Sequence, residues 1–481
     1  MERPPLAWRS TAAVAACLVA VLLLLGQRYG YHRDELYFRV LSEYPAWGYV
    51  DQPPLTPLIA RLSIALFGDT LFALKVFPAL AAALLVVLAT LITREFGGAR
   101  VAQAVAALGV ATGAYTLVAG HSMLTLSFDL PFWAAAGLFA VKALRREDPR
   151  WWLAFGAVAG LATYNKLLIA MLVLGLAAGL LLAGPRRVLA SPWLWAGAAL
   201  ALVLAVPNLI YQATHDWPQL TMAAALSDNE GDEQRLMFVP MQFGLFGPVV
   251  AVIAGFGWWR LWKDRRVRAV AVAFPVAAVL TVASGGRFDY TGGLLLLLFT
   301  AGCVSVEAAG AGRVRLAVAA LAVNGLLCAV IALPLLPADR LAATPVPAVN
   351  EVARESVGWP EFAAAVRGIL ASLPPEERDR AIVLTGSYGE QGALARAGIP
   401  RVYSGQNQLH QYGPPPETGT VAVAVNIGRR GMYRQYTTCE QRAVVDNRVG
   451  VENEMQGMPI FLCRGLKGPW RAAWPRYLHY S

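Results

Sequence analysis

Apolar runs of roughly 15–23 residues, almost free of charge, recur along this chain and restrict its fold more than any other feature. As helix, about 20 such residues cross a hydrocarbon core about 30 Å thick. Candidate spans cover 11–27, 70–93, 101–119, 129–144, 151–164, 167–183, 192–211, 237–259, 269–284, 290–306 and 314–334, about eleven in all. The composition agrees: 57% hydrophobic and 15% charged residues, against ~45–50% and ~25% in soluble domains. The fold class expected is a polytopic α-helical membrane protein. The first run, Thr11–Leu25, follows Arg3 and Arg9 as a signal peptide would. It passes into Gly26-Gln27-Arg28 without a small-x-small cleavage site, so it reads as a retained span.

The net charge of +10 invites a nucleic-acid reading, but the cations sit at the ends of the apolar runs. One alternating set of connections holds Arg94, Arg100, Lys142, Arg145, Arg146, Arg150, Arg186 and Arg187. The same set continues with Arg260, Lys263, Arg265, Arg266, Arg268, Arg313 and Arg315. That bias orients a protein in a plasma (inner) membrane, with the basic set cytoplasmic. No nucleic-acid partner is implied; the bilayer itself is the partner. Eleven spans then leave the C-terminal tail extracytoplasmic.

The division of the chain follows. Residues 1–334 form the membrane unit, and its first outer loop, 28–69, holds most of the unusual chemistry. In that loop Glu35–Tyr44 and Leu55–Leu66 have helical patterns mixed with charge, as helices lying along an interface do. Trp47-Gly48-Tyr49 and Pro53-Pro54 separate them. A further outer loop, 212–236, is acidic, and no internal repeat of the kind common in transporters is visible. Residues 335–481 begin with a Pro-rich linker and continue as an α/β domain. Phe362, Val366, Ile369, Leu370 and Leu373 share one helical face, and another helix is expected near Gly389–Ala397. Ala381–Leu384, Thr420–Val425 and Pro459–Leu462 read as strands. Ser387, after a strand, reads as a turn residue, not a hydrolase nucleophile. Cys439 and Cys463 are either bridged, as an oxidising compartment favours, or two free buried thiols.

The first loop reads Tyr31-His32-Arg33-Asp34-Glu35-Leu36-Tyr37-Phe38, then Gly48-Tyr49-Val50-Asp51-Gln52-Pro53-Pro54-Leu55. Transfer of a sugar to a hydroxyl or amine needs a carboxylate to take the acceptor proton. A phosphate leaving group needs cations, or a metal, to neutralise its developing charge. Carboxylates beside Arg at headgroup depth answer that need, although Asp34 and Glu35 also suit plain caps for the helix that follows.

This Asp-Glu…Tyr and Tyr-x-acidic-x-Pro-Pro-Leu arrangement resembles the membrane glycosyltransferases of the protein O-mannosyltransferase type, within the GT-C fold class. It is most similar to the branch containing the lipid A aminoarabinose transferases. The likeness continues in order through His121-Ser122 and Phe128-Asp129-Leu130-Pro131-Phe132-Trp133, Tyr164-Asn165-Lys166 and Gly286-Arg287-Phe288-Asp289-Tyr290. Gly386-Ser387-Tyr388-Gly389-Glu390 and Tyr412-Gly413-Pro414-Pro415-Pro416 extend it into the tail. The resemblance implies an inverting transferase that moves a sugar from a polyprenyl-phosphate donor to an extracytoplasmic protein, lipid or wall glycan. It casts Asp34, Asp129 and Glu35 as catalytic, and Tyr37, Asp51, Gln52, His121, Lys166, Arg287 and Tyr290 as substrate-binding. Some members of the class use a divalent metal; Asp34, Asp51 and Asp129 offer oxygen ligands, though their spacing does not demand one. Gln52 stands where the aminoarabinose branch has Lys, and Arg287 where it has a late Lys, which leaves the sugar open. A transporter or flippase of lipid-linked sugars is the alternative. It would place ionisable groups near mid-membrane, whereas here they gather at span ends.

Overall fold

The candidate spans fall mainly on helix in the computed structural model, which describes residues 3–481. Helix α1 (Trp8–Leu25) leads into two helices of the first loop, α2 (Arg33–Glu43) and α3 (Leu55–Phe67). There follow α4 (Leu71–Glu95), α5 (Arg100–Ala111), α6 (Ala114–His121), α7 (Thr125–Arg146), α8 (Trp151–Ala162) and α9 (Ile169–Leu182). The membrane unit ends with α10 (Pro192–Thr214), α11 (Pro218–Gly244), α12 (Pro248–Lys263), α13 (Arg268–Ala283), α14 (Gly292–Ala308) and α15 (Ala311–Ala332). Six of the described helices are long and apolar enough to cross a membrane, or eight if each bent pair counts as one span. The remaining expected spans fall on α8, α9 and α13, whose 12, 14 and 16 residues are short for a straight crossing.

Burial separates the inner helices from the outer ones. The apolar windows of α4, α7 and the segment ending in α14 are 61%, 72% and 83% buried, against 17%, 17% and 22% in α1, α10 and α15. The second group therefore presents its apolar side chains to lipid. Close helix contacts depend on small residues, as expected where lipid gives no hydrophobic drive to association. A Cβ on Gly257 would lie 1.8 Å from the Leu298 carbonyl oxygen, and one on Gly302 would lie 1.9 Å from that of Ile253. Only glycine lets α12 and α14 approach this closely.

Two expected spans are broken. Residues 101–119 split into α5 and α6, bent by 58°, and α11 meets α12 at 89°. The acidic stretch 212–236 is therefore no loop. Most of it is helical, and the helix runs from Pro218 to Gly244, into the segment expected to span at 237–259. Acidic side chains resist burial but not helicity, and Asp228, Glu230, Asp232 and Glu233 are all exposed. The breaks satisfy their own backbone, as apolar surroundings require. The Tyr115 N–H donates to the Leu245 carbonyl (2.6 Å). Buried Asn324 donates to the Phe246 carbonyl (3.0 Å) and accepts from the Val249 N–H (3.1 Å).

The tail carries a five-stranded sheet built from β1 (Ala381–Thr385), β2 (Val402–Ser404), β3 (Val421–Val425), β4 (Tyr436–Val444) and β5 (Pro459–Leu466). Their order is β2-β1-β3-β5-β4, with β2, β1 and β3 parallel and the other pairings antiparallel. The expected strands match β1, β3 and β5, and the expected helices match Trp359–Ala371 and Tyr388–Arg396. Strand β2 has three residues, and β4 is mostly exposed and polar, so neither shows the apolar run of a buried strand. Cys439 lies directly opposite Cys463 on β4 and β5, and the two are bridged.

Tail and membrane unit interlock through α2. Leu36 packs into the tail core with Trp359, Phe362 and Leu394, while Leu409 of the tail joins Tyr37, Phe38 and Leu41. The Trp359 indole donates to the Tyr31 carbonyl (2.9 Å), and the Val50 N–H donates to the Gln408 side chain (2.9 Å).

Candidate active site

Helix α2 starts with a capping box: the Asp34 N–H donates to the His32 imidazole (3.3 Å), and Glu35 accepts from the His32 N–H (2.9 Å). Asp34 is therefore not the cap, as its position suggested, and its carboxylate is free to face outward. Glu35 turns the other way. It is fully buried, takes Lys75 Nζ of α4 at 2.7 and 2.8 Å, and accepts from the Met123 N–H at 2.9 Å. With His32 these contacts occupy both its oxygens. Glu35 thereby ties α2 to α4 and to the α6–α7 connection.

Asp34 opens onto a cavity of about 370 Å³ between the first loop, the α8–α9 turn, α11 and the tail. Tyr37, Asp51, Gln52, Lys166 and Tyr290 line it as well, so the structure brings six of the ten expected site residues together. Among them Gln52 is buried with its Nε2 lacking a hydrogen-bond partner among the described residues, a donor left for a bound molecule. Lys166 lies 4.9 Å from the centre of the Tyr290 ring. Its turn is fixed by Asn165, which accepts from the Thr56 hydroxyl (3.0 Å) and donates to the Thr125 carbonyl (2.9 Å). Leu167, Leu168, Leu220 and Leu226 give the same cavity an apolar part of its lining. The cavity is thus amphipathic, lined by both ionic and apolar side chains.

Asp129, Arg287 and His121 lie outside that lining. Asp129 is buried in α7 with one oxygen unpartnered, and Lys166 and Asp289 are its charged neighbours. Arg287 pairs with Asp289 (3.4 Å), which also accepts from the Tyr115 hydroxyl (2.9 Å). His121 is buried beside Ser122 (3.2 Å) with Nε2 unpartnered, and its charged neighbours are Lys75 and His32. It belongs to the cluster beneath α2. Among the described residues no three His, Cys, Asp or Glu side chains converge on a point where a metal ion would sit, so Asp34, Asp51 and Asp129 are not a ligand set as they stand.

The tail supplies a residue that sequence reasoning missed. The Tyr388 hydroxyl donates to Asp34 Oδ1 (2.8 Å), and its ring stacks on Tyr37 with centroids 4.5 Å apart. The Tyr37 hydroxyl in turn donates to Asp51 (3.0 Å) and accepts from the Gln408 N–H (3.3 Å). The motif phrase around Tyr388 was visible in sequence, but nothing there indicated that it would meet residue 34.

These contacts separate the two carboxyls. Burial acts to push Asp34 up, yet His32, Arg33, the Tyr388 hydroxyl and Arg287 outweigh it and hold the carboxyl below the usual range. Asp51 lacks a cation, so burial, with Asp34 nearby, pushes it up to about 7 despite the Tyr37 hydrogen bond. At neutral pH the cavity therefore holds one firmly ionised carboxylate and one poised near titration.

Broken and short helices beside a small α/β tail, with a carboxylate loop against a cavity, make a GT-C-like membrane fold. The chain resembles the membrane glycosyltransferases of the protein O-mannosyltransferase type within it: the family described as dolichyl-phosphate-mannose-protein mannosyltransferase matches residues 51–211. Among solved structures, ArnT from Cupriavidus metallidurans bound to undecaprenyl phosphate aligns at 16% identity with a TM-score of 0.61. That alignment covers 94% of this chain and 97% of ArnT, and the apo form of the same protein gives 15% and 0.61. The oligosaccharyltransferase of Archaeoglobus fulgidus, tethered to an acceptor peptide, aligns at 13% identity and TM-score 0.50 over 82% of this chain and 63% of that one. These likenesses establish a shared fold. No curated protein matches by sequence.

Proposed function

We propose that this chain is an inverting glycosyltransferase that moves a sugar from a polyprenyl-phosphate donor to an acceptor on the outer face of the membrane. The amphipathic cavity carries the reading: a single chamber joins an ionised carboxylate, a lysine and an apolar wall. Such a chamber suits a ligand that is lipid, phosphate and sugar in sequence. The fold shared with an undecaprenyl-phosphate-bound protein and the ordered motifs support the same ligand class. In the reaction the acceptor oxygen or nitrogen attacks the anomeric carbon. The bond from that carbon to the phosphate oxygen breaks, and its electron pair leaves with the phosphate. Lys166 and Arg287 balance the phosphate charge, and Asp34 takes the acceptor proton. Asp51 is the second candidate for that proton, because its carboxyl is pushed up to about 7.

Deletion of the gene, with mass spectrometry of extracytoplasmic glycans and proteins, tests the activity. A sugar modification should disappear, return with the wild-type chain and fail to return with Asp34→Asn. Full rescue by Asp34→Asn would remove Asp34 from the reaction, and an unchanged glycan profile in the deletion would reject the transferase reading. The outward placement has its own test. Single cysteines introduced in 28–69 or after residue 340 should label from outside intact cells, and those at 142–150 or 260–268 should not.

A further inference from the structure

A second cavity, of about 240 Å³, opens in the tail where the parallel strands end. Its floor is Gly386 after β1, Gly405 after β2 and Asn426 after β3, and Arg434, Arg476 and Tyr477 stand around it. The topology marks this place. From β1 the chain steps to β2 on one side, then crosses back to β3 on the other, so the connections diverge at the carboxyl end of β1. In open α/β sheets that divergence leaves a crevice, and ligands occupy it.

The lining has its own chemistry. Side chains are excluded from the floor: a Cβ on Gly386 would lie 2.1 Å from the Asn426 carbonyl oxygen, and one on Gly405 would lie 2.1 Å from that of Tyr477. Among the described residues no Asp or Glu lines the cavity. Among the described residues neither Arg434 nor Arg476 is engaged in an ion pair or a side-chain hydrogen bond, whereas most other arginines of the tail are. The Tyr477 hydroxyl is buried without a hydrogen-bond partner among the described residues, and its ring stacks on Trp474 at 5.6 Å. Below, Asn426 donates to Glu390 (3.1 Å), whose carboxyl burial pushes up to about 8, so Glu390 is largely neutral at neutral pH. The volume falls short of the roughly 300–1,000 Å³ typical of drug-sized pockets, yet it exceeds what a bare oxyanion needs.

We propose that this crevice binds a single sugar unit bearing a carboxylate or phosphate, with Arg434 and Arg476 on the anion and the Tyr477 hydroxyl and glycine backbone against the sugar. Guanidinium forks match planar carboxylate and phosphate oxygens in pairs. Three chain segments join this crevice to the Asp34 cavity two residues on: Gly386 to Tyr388, Gly405 to Asn407 and His479 to Ser481. A sugar held here therefore adjoins the chamber where transfer is proposed, while its binding stands independently of that reading.

The test is direct binding to the full-length, detergent-solubilised chain, with no turnover required. Glucose 6-phosphate, glucuronate, glucose and inorganic phosphate serve as probes in ligand-observed NMR titrations. The two charged sugars should saturate, with glucose and inorganic phosphate at least about tenfold weaker. The Arg434→Ala/Arg476→Ala double variant, with its melt checked, should weaken the charged sugars about tenfold or more. Asp34→Asn, which alters only the other cavity, should leave them unchanged. Absence of saturation, equal binding of inorganic phosphate, retained binding in the double variant or loss in Asp34→Asn would each overturn the proposal.

Discussion

Two groups of ionisable residues lie on opposite sides of α2, and they behave in opposite ways. Beneath the helix, Glu35 and Lys75 are fully buried, mutually paired and backed by the His32 and Met123 N–H groups. Above it, Asp34 and Lys166 line an open cavity in which Gln52 Nε2 has no hydrogen-bond partner among the described residues. Both groups are costly in an apolar setting. One has met that cost with protein contacts; the other leaves hydrogen-bonding capacity for something else. Charge within a membrane protein is thus a weaker sign of function than charge whose valences remain open.

The sharpest challenge to this contrast is Asp34→Asn. Loss of a general base costs about 10²–10⁴-fold in rate, and binding of the polyprenyl-phosphate donor should persist, because the proposed phosphate contacts, Lys166 and Arg287, are untouched. Near-normal turnover in purified, folded Asp34→Asn would move the open side's chemistry to another carboxylate.

Glu35→Ala should do the reverse. Removing one partner of a buried ion pair typically costs about 3–5 kcal/mol, so the melting temperature in detergent should fall clearly. Turnover per folded molecule should stay within a few-fold of wild type. A loss matching that of Asp34→Asn, with an unchanged melt, would erase the distinction between the two sides.

The pH profile sharpens the open side further. A base acts when deprotonated, so its rate holds above its pKa and is lost as pH falls through it. Asp34, held below the usual carboxylate range, predicts turnover nearly flat from pH 8 down to about 5. Protonation of Asp51 near 7 should add only a small step, absent from Asp51→Asn. A tenfold fall per pH unit below about 7 would instead assign the acceptor proton to Asp51.

The smallest effect expected is that of Tyr388→Phe, which removes one hydrogen bond to Asp34. The Asp34 carboxyl should rise toward its ordinary value, because a donor to its ionised form is gone. Turnover at neutral pH should change only a few-fold, while the acid limb of the profile shifts upward. A tail that merely braces the fold would lower the melt and leave that limb in place.

Much of this molecule was already determined by the order of its residues. Charge-poor runs fix a helical membrane unit, because backbone polar groups in lipid must be satisfied within the segment. Buried β1, β3 and β5 each show as an apolar run, and the cysteines that end up bridged could be named in advance as a possible pair. Asp34 stood out as a carboxylate beside Arg33 just after the first apolar run, and the resemblance of their motifs picked out Asp51 and Lys166. Tertiary structure alone decided the rest. Asp34 and Glu35 are adjacent and chemically alike, and only the packing of α2 on α4 sends one into a closed ion pair and leaves the other open. The helical course of 218–244 was hidden because polarity reports exposure, not backbone conformation. Tyr388 reaches Asp34 across 354 positions, a meeting set by how the tail docks on α2, and local sequence carries no trace of which distant surface a residue will touch.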